Sequence, residues 1–460
     1  MATTTSSSSN EAPETKNKKK ECLGWIEWLR GWFYLIYEML FQRIMASHLH
    51  NPMPLPPVND LTCIVTGSTS GIGLEIARQL AQSGAHVVMA VRNTKAAQEL
   101  IQKWQIDSSG LSIPLNVEVM QVDLLSLDSV VRFAEAWNAR SAPLHVLINN
   151  AGIFSIGEPQ KFSKDGYEQH LQVNHLAPAL LSILLLPSLI RGSPSRIVNV
   201  NSVMHHVGFV DTDDMNVTSG KRKFSSLVGY SSSKLAETWH FLLQIMFSSI
   251  LNKRLPAESG ISVLCVSPGI VQTNVGYNLL SCDLWIEIAD FKFQELIEMT
   301  KWVTQPDASY WLWLAGPKRP VLILASKCCP SMLKARCFGL RGLSLKKAFR
   351  ARDLPKLVQA AYHLIPYFIF SAQEGARSAL FAATDPQVPE YCDMLKADEW
   401  PVCAFISQDC RPANPSEEAH SVQTSYEVWE KTLEMIGLPS DAVERLLDGE
   451  EVKCRYGQEQ

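Results

Sequence analysis

Six short runs of apolar, mostly β-branched residues, each followed by a stretch with helical periodicity, constrain the fold of this chain most. The runs occupy residues 63–65, 86–91, 117–122, 145–148, 196–200 and 262–266. Continuous apolar runs of this length are typical of parallel strands buried on both faces. Strands that alternate with helices are typical of βαβ units. The sequence therefore predicts an α/β fold with a doubly wound parallel sheet, whose ligands bind at the carboxyl ends of the strands.

The composition narrows the class of protein. With 42 basic and 46 acidic residues the formal net charge is −4, which rules out a nucleic-acid binder that works by bulk charge. The hydrophobic fraction of 46% excludes a mostly disordered chain. The 11 cysteines are odd in number, and their spacings match no zinc site. We therefore expect no disulfide framework, no metal and a reducing compartment.

The first predicted strand runs into a glycine-rich segment, TGSTSGIG at residues 66–73, which leads into an amphipathic helix. Glycines at such a place let the backbone turn sharply and approach a pyrophosphate at the helix N-terminus, as in the Rossmann fold. A tight turn without a ligand is the alternative reading. The candidate cofactor-binding residues of this segment are Gly67, Ser68, Thr69, Ser70, Gly71, Ile72 and Gly73.

The end of the second strand bears on which dinucleotide binds. An acidic residue about 20 residues past the glycines would bind the ribose 2′-hydroxyl of NAD. That place holds Val91 and Arg92, so no carboxylate repels a 2′-phosphate and a guanidinium is present to bind one. NADP is therefore favoured as the cofactor, unless Arg92 is merely solvated or caps a helix. Further candidate cofactor-binding residues are Asn93, Asp123, which is placed to touch the adenine, and Leu124.

Four further motifs follow the glycine-rich segment in a fixed order. They are Asn149-Asn150-Ala151-Gly152, then Ser202, then Tyr230 with Lys234 four residues later, then Pro268-Gly269. With this full set in order, the chain resembles the short-chain dehydrogenase/reductase family across residues 61–274 and 352–437. The resemblance implies that Asn150, Ala151, Gly152, Pro268 and Gly269 also contact the cofactor.

The same resemblance implies roles for five polar residues. Tyr230 is the acid/base that exchanges a proton with the substrate oxygen, and Lys234 favours its phenolate. Both also contact the cofactor. Ser202 holds the substrate oxygen, Asn174 supports a water relay to Lys234, and Thr273 contacts the nicotinamide carboxamide. A phenol with an ordinary pKa of about 10 is a slow acid or base at neutral pH, so a nearby lysine charge has a chemical purpose. The alternatives are that Ser202 and Asn174 are ordinary turn or helix polar residues and Tyr230 a core aromatic.

Other segments indicate a branch of the family. The stretch between Ser202 and Tyr230, DGYEQHLQVNHLAPALL and SAQEGARSALFAAT look like the retinol-dehydrogenase and protochlorophyllide-reductase-like branch. That branch often acts on lipophilic carbonyls at membranes. We therefore expect an NADP-dependent enzyme that interconverts an alcohol and a ketone or aldehyde on a small lipophilic substrate. A cofactor-binding sensor or scaffold without turnover is the alternative. His205 and His206 are expected to be loop residues, and the oligomeric state stays open.

The N-terminal region predicts contact with a membrane surface. A disordered Ser/Thr-rich and basic tail at residues 1–21 precedes an amphipathic helix within 22–49. Polar residues in this helix recur every three or four positions and form one narrow stripe: Glu27, Arg30, Tyr34, Glu38 and Gln42. A helix lying in the membrane plane would keep this stripe wet, whereas a spanning helix would bury its charges at a cost of about 3 kcal/mol each. Packing of the helix on the protein's own core is the alternative.

The remaining organisation follows from departures from the family pattern. We expect a proline-rich linker at 50–60, an NADP-binding core at 61–275, an irregular insertion at 276–350, the rest of the catalytic domain at 351–437, and a short helix and tail at 438–460. Within 351–437, the apolar segment 355–370 is expected to form the wall of the substrate pocket, with a second membrane contact as the alternative. A last strand is expected near 405–407, followed by a closing helix that packs on the core through Val428, Trp429, Leu433 and Ile436. The insertion is interpreted as translated intron sequence, a loosely packed segment, or a lid or interaction module. Membrane association facing a reducing compartment is expected, on the cytoplasmic face of the endoplasmic reticulum or in the chloroplast.

Overall fold

A computed structural model of the chain describes residues 25–107, 115–153, 160–218, 239–272 and 368–457. Several predictions concern residues outside these ranges: the roles of Tyr230, Lys234 and Thr273, the N-terminal tail, the insertion at 276–350 and most of the apolar segment 355–370.

Seven parallel strands form one sheet in the order β3-β2-β1-β4-β5-β6-β7. The strands are β1 (Thr62–Thr66), β2 (His86–Val91), β3 (Val117–Gln121), β4 (Val146–Asn149), β5 (Ser195–Val200), β6 (Ile261–Val266) and β7 (Ala404–Ile406). The six strands predicted from the apolar runs and the last strand near 405–407 are confirmed. The chain order reverses between β1 and β4, and this is where open parallel sheets bind ligands.

Helices cover both faces of the sheet, as a doubly wound fold requires. The α-helices of the described ranges are α1 (Trp25–Met45), α2 (Gly71–Gln82), α3 (Thr94–Asp107), α4 (Leu127–Asn138), α5 (Gln169–Leu171), α6 (Ala177–Leu184), α7 (Leu186–Arg191), α8 (Trp239–Arg254), α9 (Ala372–Gly375), α10 (Arg377–Thr384), α11 (Val388–Lys396), α12 (Val422–Ile436) and α13 (Ala442–Leu447). A π-helical turn (Gln172–Leu176) joins α5 to α6. Short 3₁₀ helices lie at Val203–Val207, Thr212–Asp214, Ala257–Ser259 and Glu417–His420.

Two hydrophobic cores lie on opposite sides of the sheet because successive strand residues point to opposite faces. Ile64 of β1 and Leu147 of β4 belong to the larger core, which α4, α6, α8 and α12 cover. Val65 and Ile148, one residue further along each strand, belong to the second core, beneath α2 and α10. The predicted packing of α12 on the core is confirmed, and its buried residues include Val428, Trp429, Leu433 and Ile436.

The N-terminal helix α1 packs on this domain, and two residues of its polar stripe, Glu38 and Gln42, face inward. Glu38 is 4% exposed and Gln42 is fully buried, so the expectation of a wet stripe is wrong for both residues. The apolar residues of the other face point outward, with Phe33 72% and Ile44 66% exposed. Gln42 faces inward because its carboxamide binds backbone groups of the catalytic domain, as described below. Among the described helices, none is both long and apolar enough to cross a bilayer.

Candidate active site

The glycine-rich segment forms a tight turn between β1 and α2 that only small residues allow. Gly67 and Gly71 have φ angles of +65° and +57°, a region that residues with a side chain rarely adopt. A Cβ atom on Gly73 would lie 2.2 Å from Nδ2 of Asn150 and 2.5 Å from the carbonyl oxygen of Gly67. The first turn of α2 is therefore held directly against the chain that leaves β4.

Hydrogen bonds between Thr66 and Asn150 fix the distance between the ends of β1 and β4. Oγ1 of Thr66 accepts from the backbone N–H groups of Asn150 and Ala151, each at 3.0 Å. Nδ2 of Asn150 donates to the carbonyl oxygen of Thr66 at 3.0 Å. These bonds tie the chain that leaves β4 to the turn before α2. Ser70, the N-cap residue of α2, is exposed and makes no side-chain capping bond.

This geometry fits a bound dinucleotide. The amide N–H groups at the start of α2 lack intrahelical partners and, with the helix dipole, favour a phosphate group. Arg92 is exposed directly after β2, and Asn93 beside it accepts from the N–H of Ala96 at 3.2 Å at the start of α3. Asp123, after β3, accepts from the N–H of Leu125 at 3.0 Å, while Leu124 is buried. The residues predicted to bind the cofactor within the described ranges therefore lie at or beside one edge of the sheet.

Ser202 follows β5 at the same edge and caps the 3₁₀ helix Val203–Val207. Its Oγ accepts from the N–H of Met204 at 3.3 Å. Its own N–H donates to Oδ1 of Asn201 at 2.8 Å. A hydroxyl that accepts one bond can still donate its proton. Ser202 can therefore donate to a substrate oxygen without losing the contact that holds it.

Asn174 lies in the π-helical turn, and its carboxamide makes three hydrogen bonds to two residues. Its Oδ1 accepts from the N–H of Ile153 at 2.8 Å, and its Nδ2 donates to the carbonyl oxygen of Ile153 at 2.9 Å. Nδ2 also donates to Nε2 of His240, on α8, at 2.7 Å. The turn is π-helical where Asn174 faces the Asn149–Gly152 segment, and such turns are frequent at functional sites.

His240 is a site residue that the sequence pattern did not indicate. It is fully buried, and burial lowers its pKa well below the ordinary value, with smaller contributions from His170 and His175. The imidazole is therefore neutral and its Nε2 is an acceptor, which fits the bond from Asn174. No local signal marks this residue, because its contact depends on how α8 packs against the π-helical turn.

His205 and His206 are not loop residues but lie in the 3₁₀ helix after Ser202. His205 is 1% exposed, and its Nδ1 lies 2.6 Å from the carbonyl oxygen of Ser202. Burial lowers the pKa of His205 to about 4. Burial, and then the neighbouring His205, lower the pKa of His206 to about 2. Its ring lies 4.0 Å from that of Tyr34 on α1, so this pair helps to hold α1 on the domain.

Pro268 and Gly269 follow β6 at the same edge of the sheet. Pro268 is buried, and Gly269 has a φ angle of +76°. The segment 270–272 then pairs with 368–370 through a parallel bridge between Val271 and Phe370. The site thus gathers the chain ends after β1, β2, β3, β4, β5 and β6. The predicted residues Tyr230, Lys234 and Thr273 lie outside the described ranges.

Known proteins are similar to this chain in sequence. A family model described as short chain dehydrogenase matches residues 61–212. A protein of Arabidopsis thaliana described as dehydrogenase/reductase SDR family member FEY is 59% identical over 457 residues, 99% of each chain. The chain belongs to the short-chain dehydrogenase/reductase family. It is therefore an oxidoreductase by family, and the resemblance stated from its motifs is confirmed. The relative also agrees with a resemblance of both chain ends to the plant oxidoreductase FOREVER YOUNG.

More distant members of the family match about half of this short-chain dehydrogenase/reductase. Human retinol dehydrogenase 12 is 36% identical over 223 residues, which is 48% of this chain and 65% of that protein. Human polyprenol dehydrogenase is 36% identical over 225 residues, 48% of this chain and 63% of that protein. The expected similarity to the retinol-dehydrogenase branch is therefore confirmed for the core of the fold.

Proposed function

We propose that this short-chain dehydrogenase/reductase transfers hydride between NADP(H) and a lipophilic alcohol, ketone or aldehyde. One observation carries the proposal. The glycine turn, the Asn150 contacts that hold it, the capped Ser202 and the bonded Asn174 all lie at the carboxyl edge of one parallel sheet. Such an edge at the reversal of strand order is where a dinucleotide and its substrate meet.

Each residue has a chemical role in this proposal. The glycine-rich turn at 66–73 and Arg92 would hold NADP(H), which would supply or take up the hydride at the substrate carbon. In the direction of reduction, the hydroxyl of Tyr230 gives its proton to the substrate oxygen as the new C–H bond forms, which leaves a phenolate. Lys234 stabilises that phenolate by its charge, since an opposite charge nearby favours the ionised form. Ser202 donates to the same substrate oxygen, and Asn174 supports the water relay that returns a proton to Tyr230.

The choice of NADP rests on Arg92. Its side chain is exposed directly after β2, where a carboxylate would discriminate against a 2′-phosphate. A guanidinium binds phosphate through a planar pair of N–H donors. Retinol dehydrogenase 12 and polyprenol dehydrogenase, named for isoprenoid alcohols, favour a lipophilic substrate for this chain as well.

The outer face of α1 supports association with a lipid surface. Phe33, Ile36, Leu40 and Ile44 are exposed on one side of a helix whose other side is packed on the domain. An apolar helix face of this kind inserts to the depth of the lipid headgroups. The lysines at 18–20 would add attraction to anionic lipid. We propose that the protein lies on a membrane and faces a reducing compartment. The cytoplasmic face of the endoplasmic reticulum is favoured over the chloroplast.

Replacement of the acid/base tests the catalytic part of the proposal. Tyr230→Phe should abolish turnover and leave NADPH affinity within about twofold, because the phenol gives a proton but little binding energy. Calorimetry with NADPH and NADH, and a screen of lipophilic carbonyls, should be run on the full chain and on a protein lacking 276–350. Unchanged turnover in Tyr230→Phe would refute the mechanism. Tight NADPH binding without turnover in either protein would instead indicate a sensor or scaffold.

Vesicle flotation tests the membrane part. A protein carrying Phe33→Ser, Ile36→Ser and Ile44→Ser should lose binding to vesicles of phosphatidylcholine with phosphatidylserine, because each change removes apolar area that the lipid would bury. Met394→Ser is a control, since Met394 is 61% exposed on α11 and does not belong to the apolar face of α1. Equal flotation of the triple variant and the wild type would refute the role of this face.

A further inference from the structure

Gln42 of α1 binds the backbone of two chain segments at the edge of the site. Its Oε1 accepts from the N–H of Ile270 at 2.9 Å. Its Nε2 donates to the carbonyl oxygen of Ile270 at 3.1 Å and to that of Phe368 at 2.6 Å. Gln42 is fully buried. The carboxamide of Gln42 therefore bonds both backbone groups of residue 270, as a neighbouring strand would.

The same side chain sets the space for the preceding residue. A Cβ atom on Gly269 would lie 2.7 Å from Oε1 of Gln42, and the φ angle of Gly269 is +76°. Position 269 therefore requires glycine both for its backbone conformation and for the close approach of α1. The turn at 268–270 and the side chain of Gln42 fit each other as one unit.

The segments that Gln42 joins also support each other and the cofactor turn. The N–H of Phe370 donates to the carbonyl oxygen of Ile270 at 2.9 Å, and the N–H of Gln272 donates to that of Phe370 at 2.8 Å. A Cβ atom on Gly375 would lie 2.6 Å from Val271 and 3.4 Å from Ile72, at the start of α2. Contacts therefore run from α1 through 270–272 and α9 to the glycine-rich turn.

A second polar residue of α1 binds the segment 368–370 and the helix α9 that follows it. Arg43 donates to the carbonyl oxygen of Ile369 at 2.5 Å and pairs with Glu374 at 2.9 Å. Glu374 in turn forms a capping box with Ser371 at the start of α9. Gln42 and Arg43, which are adjacent in α1, thus bind the consecutive backbone carbonyl groups of residues 368 and 369, and residue 370 is paired with 270.

We propose that Gln42 is a positioning residue of the hydride transfer: it holds the Pro268–Gly269–Ile270 turn in the conformation that accepts the nicotinamide half of the cofactor. This inference rests on the proposed function and on the cofactor contacts that the family resemblance implies for Pro268, Gly269 and Thr273, the last of them at the nicotinamide carboxamide. It makes α1 part of the active-site support and not only an attachment to a surface. Gln42 does not touch the reacting atoms and acts through the backbone that it binds.

Gln42→Leu tests the inference because leucine keeps most of the volume and removes all three hydrogen bonds. In the protein without cofactor, hydrogen exchange of peptides covering 267–272 and 368–371 should speed up about tenfold, with peptides from β1 to β4 unchanged. NADPH should bind about tenfold more weakly, while 2′-phospho-ADP-ribose, which lacks the nicotinamide, should bind within about twofold of wild type. The rise in NADPH fluorescence on binding should be smaller, since it reports the nicotinamide environment.

Arg30→Gln is the matched control on the same helix, because Arg30 pairs with Glu417 at the exposed surface. It should change none of these measurements by more than about twofold. If Gln42→Leu fails to fold, Gln42→Met answers the same question, because it keeps the unbranched shape of the side chain and removes all three hydrogen bonds.

The outcomes separate this inference from the proposed function. Wild-type protein that binds no NADPH would overturn both. Wild-type binding together with unchanged NADPH affinity and fluorescence in a folded Gln42 variant would overturn the positioning role alone. Equal weakening of NADPH and 2′-phospho-ADP-ribose would also overturn it, since that pattern reports a general loss of structure.

Discussion

The carboxamide of Asn174 donates from Nδ2 to Nε2 of His240 across 2.7 Å, between the π-helical turn and α8. The bond requires a neutral imidazole, because a protonated ring has no acceptor nitrogen. Burial provides this state by holding the pKa of His240 well below its ordinary value. The residue that supports the proposed water relay is therefore itself held by a histidine that does not titrate near neutral pH.

The His240 ring should accordingly show no protonation step between about pH 5 and 9. Nitrogen chemical shifts of the ring, measured by NMR on the folded protein, should stay constant across this range. The same protein unfolded in urea supplies the control, since its histidines titrate near their ordinary pKa of about 6.5. A His240 signal that titrates near that value in the folded protein would contradict the buried, accepting imidazole.

Glu38→Gln should stabilise the protein at high pH. Burial, and then the charge of Asp409, raise the pKa of Glu38 from 4.5 to about 8. The folded state then binds a proton more tightly than the unfolded state, so stability is full below about pH 4.5 and falls as the pH rises toward 8. Urea unfolding across this range should show a gain for the variant on the order of a few kcal/mol at about pH 8 and little at about pH 5.

Glu417→Gln is the control for that measurement, because this carboxylate also faces α1 but is exposed in its pair with Arg30. The free energy of unfolding of Glu417→Gln should change with pH as that of the wild type does. If the free energy of unfolding of Glu38→Gln also changes with pH as that of the wild type does, Glu38 is ionised without a cost in stability.

Arg92→Ala should reduce NADPH affinity about 10- to 100-fold and leave NADH affinity within about twofold, because hydrogen bonds to a charged group contribute about 1.5–3 kcal/mol. Calorimetric titrations with both cofactors measure this. Lys95→Ala, a neighbouring exposed cation on α3, separates the specific guanidinium from general positive charge. An equal loss of affinity for NADPH and NADH would show that Arg92 does not recognise the 2′-phosphate.

Gly73→Ala should weaken NADPH binding more than about tenfold and lower the free energy of unfolding by about 1–3 kcal/mol, as overpacking does. The added methyl would meet Nδ2 of Asn150 at 2.2 Å and the carbonyl oxygen of Gly67 at 2.5 Å. A double-mutant cycle with Asn150→Ala should show coupling between the two changes, because they share one contact. Strict additivity of the two free-energy changes would mean that the turn relaxes away from Asn150.

Much of the fold was predictable from local pattern. Buried parallel strands require continuous apolar runs, so the runs mark β1 to β6 within one or two residues of their observed bounds. The apolar spacing of Val428, Trp429 and Leu433 likewise identified the inner face of α12. For the site, the order of motifs located the turn at 66–73, Asn150, Ser202 and Asn174, because each follows a strand or lies on a helix that the topology brings to one edge.

The polar stripe of α1 shows what local sequence pattern cannot predict. Its spacing correctly placed Glu38 and Gln42 on one face, since helical periodicity depends only on the chain itself. Whether that face lies against solvent or against the protein depends on residues distant in the sequence. The expectation that Glu38 and Gln42 are solvated was wrong. The acceptors for Gln42 are backbone groups at 270 and 368, which carry no side-chain signal in a sequence.

The sequence by itself determined the parallel sheet, the glycine turn and the family, because these follow from periodicity, backbone freedom and motif order. Only the tertiary structure decided that α1 braces the turn at 268–270 and that His240 holds Asn174. These contacts join residues 228 and 66 positions apart. Their formation depends on the packing of whole helices against the sheet, and the free energy of that packing is distributed over many residues, none of which marks the contact alone.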